Sequence, residues 1–155
     1  MAVSAVPDDR TLHMVHVFDA SPGRVFAAWT EPERFAEWFG PPGLKCLHCR
    51  FDLQVGGTWE LVGERAGGRH TVSGKYLEID PPRRLSFTWA WHQSGDLAAP
   101  REHETMITLQ FNAVGARTEL TLTQRRFRDA TGASNHREGW AGSFTKLEAL
   151  LARSA

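Results

Sequence analysis

The sequence predicts an α+β domain in which a seven-stranded antiparallel sheet carries one long C-terminal helix on a single face. Three observations lead there. Between Leu44 and Phe127 the chain falls into six apolar runs of strand length separated by turn residues, and a seventh run lies near the N-terminus. From Ser134 to Ala155, Trp140, Phe144, Leu147 and Leu151 recur at four-, three- and four-residue spacing, which is one stripe of an α-helix. An amphipathic helix must hide its stripe against something apolar, and one face of an antiparallel sheet is a stable answer.

Residues 1–9 hold two acids and no long apolar run, so a flexible N-terminus is expected there rather than a signal peptide. Arg10 to Asp19 is rich in β-branched and apolar residues and reads as the first strand. Ser21-Pro22 then opens a short helix, with Ser as N-cap, Pro at the first helical position, and Val25, Phe26 and Trp29 as its buried stripe. Thr30 and Glu33 form a capping-box pattern for a second short helix whose apolar side is Phe35, Trp38 and Phe39. Gly40-Pro41-Pro42-Gly43 stops it.

The six later strands are expected at 44–54, 57–64, 70–79, 84–92, 102–112 and 117–127. Gly56-Gly57, Gly67-Gly68, Asp80-Pro81-Pro82, Ser94-Gly95-Asp96 and Val114-Gly115 punctuate them. Leu85, Phe87, Trp89 and Trp91 share one face by alternation, as do Thr105, Ile107, Leu109 and Phe111, and Leu120 and Leu122. Ser86, Thr88, Thr108, Gln110, Glu119, Thr121 and Thr123 fall on the faces suited to water. Ser134 is the expected N-cap of the long helix.

At 155 residues the chain suits one domain, 1–155, large enough to bury about 70% of its unfolded surface. Eighteen basic and eighteen acidic residues balance, which argues against nucleic acid or an anionic membrane surface as the main partner. Arg125, Arg126 and Arg128 are read as a solvated strand end. No apolar run approaches eighteen residues, so no membrane insertion is expected, and two cysteines make no disulfide framework. A cytoplasmic location is the expectation.

Several local patterns add up to a resemblance. They are Ser21-Pro22-Gly23-Arg24-Val25-Phe26 with Trp29-Thr30-Glu31-Pro32, then Trp38-Phe39-Gly40-Pro41, then Val55-Gly56-Gly57-Thr58-Trp59. Gly74-Lys75-Tyr76-Leu77-Glu78-Ile79-Asp80-Pro81, Leu85-Ser86-Phe87-Thr88-Trp89, and Gly139-Trp140 with Lys146-Leu147 follow. In this order the chain resembles the START-like, SRPBCC or helix-grip superfamily. Within it the chain is similar to the family named after an activator of the heat-shock protein 90 ATPase. The resemblance implies a strongly curved sheet gripping the C-terminal helix, with a cavity between them. It does not imply an activity, since that superfamily holds many hydrophobic ligands and only some members are enzymes.

The candidate site is that cavity. Six Trp and nine Phe against one Tyr can fill a core or line a pocket. Trp38, Phe39, Trp59, Trp89, Trp91, Trp140 and Phe144 are expected to converge, with His103, Gln124 and His136 as polar members. The expected partner is a small hydrophobic or amphipathic molecule, with no cofactor. An enzyme of the same fold, a cyclase, dehydratase or hydrolase using His103 or His136 as general base, is the alternative. A chaperone-linked role ranks third: in the eukaryotic namesake the domain that binds the chaperone's middle region is a separate one, and a chain of this length is expected to lack it. Apolar residues at strand edges leave a homodimer open.

Other motifs are discounted. Cys46-x-x-Cys49 lies in a strand, where residues three apart point to opposite faces, so no shared metal is expected without a bulge. The same argument separates His13 from His16. In Glu102-His103-Glu104 an inward His103 leaves both carboxylates in solvent. No Gly-x-Ser-x-Gly elbow occurs, and the glycine pairs sit at hairpin turns rather than between a strand and a helix. Gly139 and Gly142 interrupt the long helix, with Gly139 at the flank of its stripe.

Overall fold

The apolar runs pair into one sheet in a computed structural model that describes residues 10–153. The expectation for residues 1–9, and the last two residues of the predicted helix, lie outside the described residues. The elements are β1 (Leu12–Phe18), α1 (Pro22–Thr30), α2 (Pro32–Trp38), β2 (Lys45–Phe51), β3 (Thr58–Arg65), β4 (Gly68–Asp80), β5 (Arg84–Trp91), β6 (Thr105–Val114), β7 (Arg117–Arg125) and α3 (Ala130–Arg153). All pairings are antiparallel, in the order β1-β7-β6-β5-β4-β3-β2. Register shifts at Cys46/His48 and Tyr76/Glu78 bend β2 and β4, and such bulges let a sheet curl around a helix.

Alternation sorts the faces as expected. Leu85, Phe87, Trp89, Ile107, Leu109, Phe111, Leu120 and Leu122 are all buried, and so are Trp140, Phe144, Leu147 and Leu151 of the facing stripe. Ser86 and Thr108, expected to be wet, are buried too: the Ser86 hydroxyl donates to the Ile107 carbonyl at 3.1 Å and lies 3.4 Å from the Thr108 hydroxyl. Among the described residues no helix is long and apolar enough to cross a membrane.

Three local expectations need correction. Ser21 does cap α1, accepting from the Arg24 N–H, but the Thr30–Glu33 box does not form. Thr30 is the last residue of α1, and its hydroxyl donates one turn back to the Phe26 carbonyl at 3.0 Å, leaving Glu31 at the cap of α2. The long helix starts at Ala130 rather than after Ser134, because Asp129 accepts from the Gly132 N–H at 2.9 Å and caps it earlier. The strand expected from residue 102 begins at Thr105. His92 bridges Arg101 while Trp89 pairs with Thr105, so residues 102–104 stand opposite only Ala90 and Trp91.

Candidate functional site

Most of the space between sheet and helices is filled by interlocking rings. Trp29 meets Trp38 edge-on at 4.7 Å, Phe35 stacks on Phe39 at 4.9 Å, and Phe18 meets Phe144 edge-on at 5.6 Å. Among Trp29, Phe35, Phe51, Trp59, Tyr76 and Phe87 only about 10 Å³ is left. This interior is packed as cores normally are.

At one end of the sheet the filling stops, and a recess of about 730 Å³ opens. Trp89 and Trp91 of β5 form one wall, and Asn135, His136, Gly139, Trp140 and Ser143 of α3 the opposite one. Phe39, Gly40, Pro41 and Leu44, in the loop after α2, make a third wall, while Arg65 of β3 and His70 of β4 stand beside them. That loop is tied to α3. Ser143 Oγ accepts from the Gly40 N–H at 3.0 Å, and Lys146 Nζ donates to the carbonyls of Phe39 and Gly40 at 3.3 and 3.2 Å. Gly40 has φ +91°, and a Cβ there would lie 2.2 Å from Leu44 Cδ2, so this turn requires glycine.

The polar groups are held in fixed roles. Trp140 Nε1–H donates to Gln124 Oε1 at 2.9 Å, and Gln124 Nε2–H donates to Thr105 Oγ1 at 2.8 Å. His136 Nδ1–H donates to the Gly132 carbonyl at 2.8 Å, which leaves Nε2 to accept from Trp91 Nε1–H at 3.0 Å. Burial pushes the His136 pKa down, outweighing the Gly132 hydrogen bond, so the neutral ring is favoured. The indole N–H of Trp89 is buried with no hydrogen-bond partner.

Of the expected site residues, the structure brings Phe39, Trp89, Trp91, His136 and Trp140 together around the recess. Trp38, Trp59, Phe144 and Gln124 lie behind them in the core. Trp38 donates to the Ala28 carbonyl at 2.9 Å and Trp59 to the Thr88 carbonyl at 3.2 Å. His103 does not point inward. The extra residue opposite β5 breaks the alternation there, and His103 is exposed, with Nε2 against the Arg126 carbonyl. It borders a second recess that shares Trp89, Trp91 and His136 with the first.

Gly40, Pro41, Leu44, Arg65, His70, Asn135, Gly139 and Ser143 line the recess without having been expected to. For two of them the signal was present. Trp59, Leu61, Gly63 and Arg65 alternate on one face of β3, and the β3–β4 register sets His70 opposite Gly63. The concave face therefore changes from apolar to cationic toward the Gly67-Gly68 turn.

The cysteine argument also needs correction. The bulge between Cys46 and His48 returns Cys46 to the face of Cys49, and both pack against the core edge, with Cys46 Sγ donating to the His48 carbonyl at 3.5 Å. Burial is the leading cause that raises both pKa values, that of Cys49 to about 12, so these are poor thiolates. Among the described residues no three metal-ligating side chains gather. His13 and His16 do fall on opposite sides, His13 against Thr123 and His16 against Glu148 of α3.

The chain matches the family model for "Activator of Hsp90 ATPase homolog 1-like protein" over residues 19–152. Among solved structures, the AHSA1 protein of Silicibacter pomeroyi is 32% identical with a TM-score of 0.81, covering 94% of this chain and 99% of that one. A protein from Chromobacterium violaceum is 27% identical, also at 0.81, covering 92% and 96%. A third, from Nitrosomonas europaea, is 24% identical at 0.79, covering 96% and 98%, and shows the shared fold alone. A search of curated proteins finds no match. With the family model and the gripped terminal helix in agreement over almost the whole described chain, this protein belongs to the Activator of Hsp90 ATPase homolog 1-like family and has its helix-grip, START-like fold.

Proposed function

We propose that this protein is a binding domain that holds a small hydrophobic or amphipathic molecule in the recess between β5, α3 and the loop after α2. The observation that carries the reading is the contrast within one aromatic core: about 10 Å³ is left among the deep rings, against about 730 Å³ beside Trp89, Trp91 and Trp140. That volume falls within the roughly 300–1,000 Å³ common for small-molecule sites. A chain able to fill its interior with rings leaves this end unfilled. Gly139 supports the same reading. It interrupts α3 at the recess, where a Cβ would meet nothing within 4 Å, at a helix cost of about 1 kcal/mol relative to alanine.

The geometry favours binding over general-base catalysis by the two expected histidines. The His136 lone pair is taken by Trp91, and His103 lies outside this recess. His70 lines it, but no Asp or Glu does, so no carboxylate is there to orient that ring.

The test is a titration of intrinsic Trp fluorescence and melting temperature with a panel of aromatic acids, fatty acids and polyketide-like phenols. Saturable quenching with a raised Tm is expected for some members. A panel that shifts neither signal overturns the reading.

A further inference from the structure

We infer that the molecule this recess selects is a monoanion with an apolar body and one terminal carboxylate, which Arg65 receives with His70 beside it. The inference rests on the binding reading above.

Charge is the first ground. The lining contains no Asp or Glu, and its single permanent charge is the Arg65 guanidinium. Among the described residues neither Arg65 nor His70 has an ion pair or a side-chain hydrogen bond. Both are exposed and share the concave face of the β3–β4 hairpin, since His70 pairs with Gly63 and Gly68 with Arg65. An unpaired guanidinium beside an apolar well matches a carboxylate, which it holds through two parallel N–H···O bonds.

The second ground is depth. Trp89, almost fully buried, marks the inner wall. By register Trp89 stands level with Gly74, four residues from His70 and six from Gly68, the partner of Arg65, which is about 13 to 20 Å of strand. The ligand therefore carries its anionic end about that far from its buried end. A neutral lipid would leave Arg65 without a partner, and a dianion would exceed the single permanent charge.

The probes are 6-(2-naphthyloxy)hexanoic acid and the matching alcohol, 6-(2-naphthyloxy)hexan-1-ol, titrated into the full chain by calorimetry. The acid is expected to bind about tenfold tighter than the alcohol, the ratio one charge-assisted hydrogen-bonded pair supplies. Arg65→Gln, an exposed change that leaves the core intact, is expected to abolish that preference while the alcohol's affinity stays within about twofold. Trp89→Phe is expected to weaken acid and alcohol alike and keep their ratio. Equal affinity for the two probes, or a preference that survives Arg65→Gln, overturns the inference and leaves the binding reading standing. Failure of both probes, together with a silent panel, overturns both.

Discussion

His136 shows how one side chain can be fixed by its surroundings. Its two ring nitrogens are committed to Gly132 and Trp91, and burial disfavours its protonated form. In the unfolded chain it titrates near its ordinary value of 6.5, and in the native state below that. Below about pH 6.5 the unfolded chain therefore binds more protons, and the stability that neutral His136 contributes is lost as pH falls toward the native pKa. The slope from this residue is at most about 1.4 kcal/mol per pH unit. His136→Gln should flatten that part of the curve, and urea denaturation of both proteins between pH 7.5 and 5.5 measures it. Parallel curves would contradict the assignment. Gln124 is a second fixed residue, fully buried and bonded to both Trp140 and Thr105. Gln124→Leu should cost about 2–4 kcal/mol, because two buried polar groups lose their partner. A loss under about 1 kcal/mol in urea denaturation would show that the bonds matter little.

At the scale of elements, α3 serves two ends. Its stripe closes the core, and its N-terminal half walls the recess. Gly139 sits among the recess-lining residues of this helix, between His136 and Trp140. Gly139→Ala should stabilise the fold by about 1 kcal/mol, since the helix gains propensity and the new methyl meets no neighbour. Gly139→Leu should keep the fold and lose ligand binding, as its side chain enters the recess. Thermal melts read the first and calorimetry the second; a Leu variant that binds like the parent would move the site elsewhere. The loop after α2 is the other wall, pinned by Ser143 and Lys146. Ser143→Ala should raise hydrogen exchange at Gly40, whose N–H loses its buried acceptor. The elements themselves were legible in the sequence because their signals are local: a period of two or 3.6, turn glycines, and the Ser21 cap. The failures were local as well. Asp129 and Ser134 are equally good caps, and only the folded chain chooses between them. His103 was misplaced because a one-residue bulge inverts alternation, and no residue type announces it. The same holds for Cys46 and Cys49.

At the scale of the whole molecule, a curved sheet grips one helix, packs solidly along most of its length, and is unfilled at one end. The convergence of the aromatics was legible, since Trp89, Trp91 and Trp140 each lie on a face the pattern assigns inward. Which of them border the recess was not. Trp38, Trp59 and Phe144 have the same composition and periodicity as the lining residues, and only three-dimensional packing sets them behind it. Arg65 and His70 went unnoticed for a related reason: their importance arises from a hairpin that carries them beside a distant loop and helix. The six tryptophans supply the most direct test of the central claim, because each indole N–H reports one location. In a two-dimensional nitrogen–proton NMR titration with 6-(2-naphthyloxy)hexanoic acid, the Trp89, Trp91 and Trp140 signals should shift and saturate together, while those of Trp29, Trp38 and Trp59 stay in place. Shifts centred on Trp29, Trp38 and Trp59, or no shift at any indole, would contradict a guest seated in this recess.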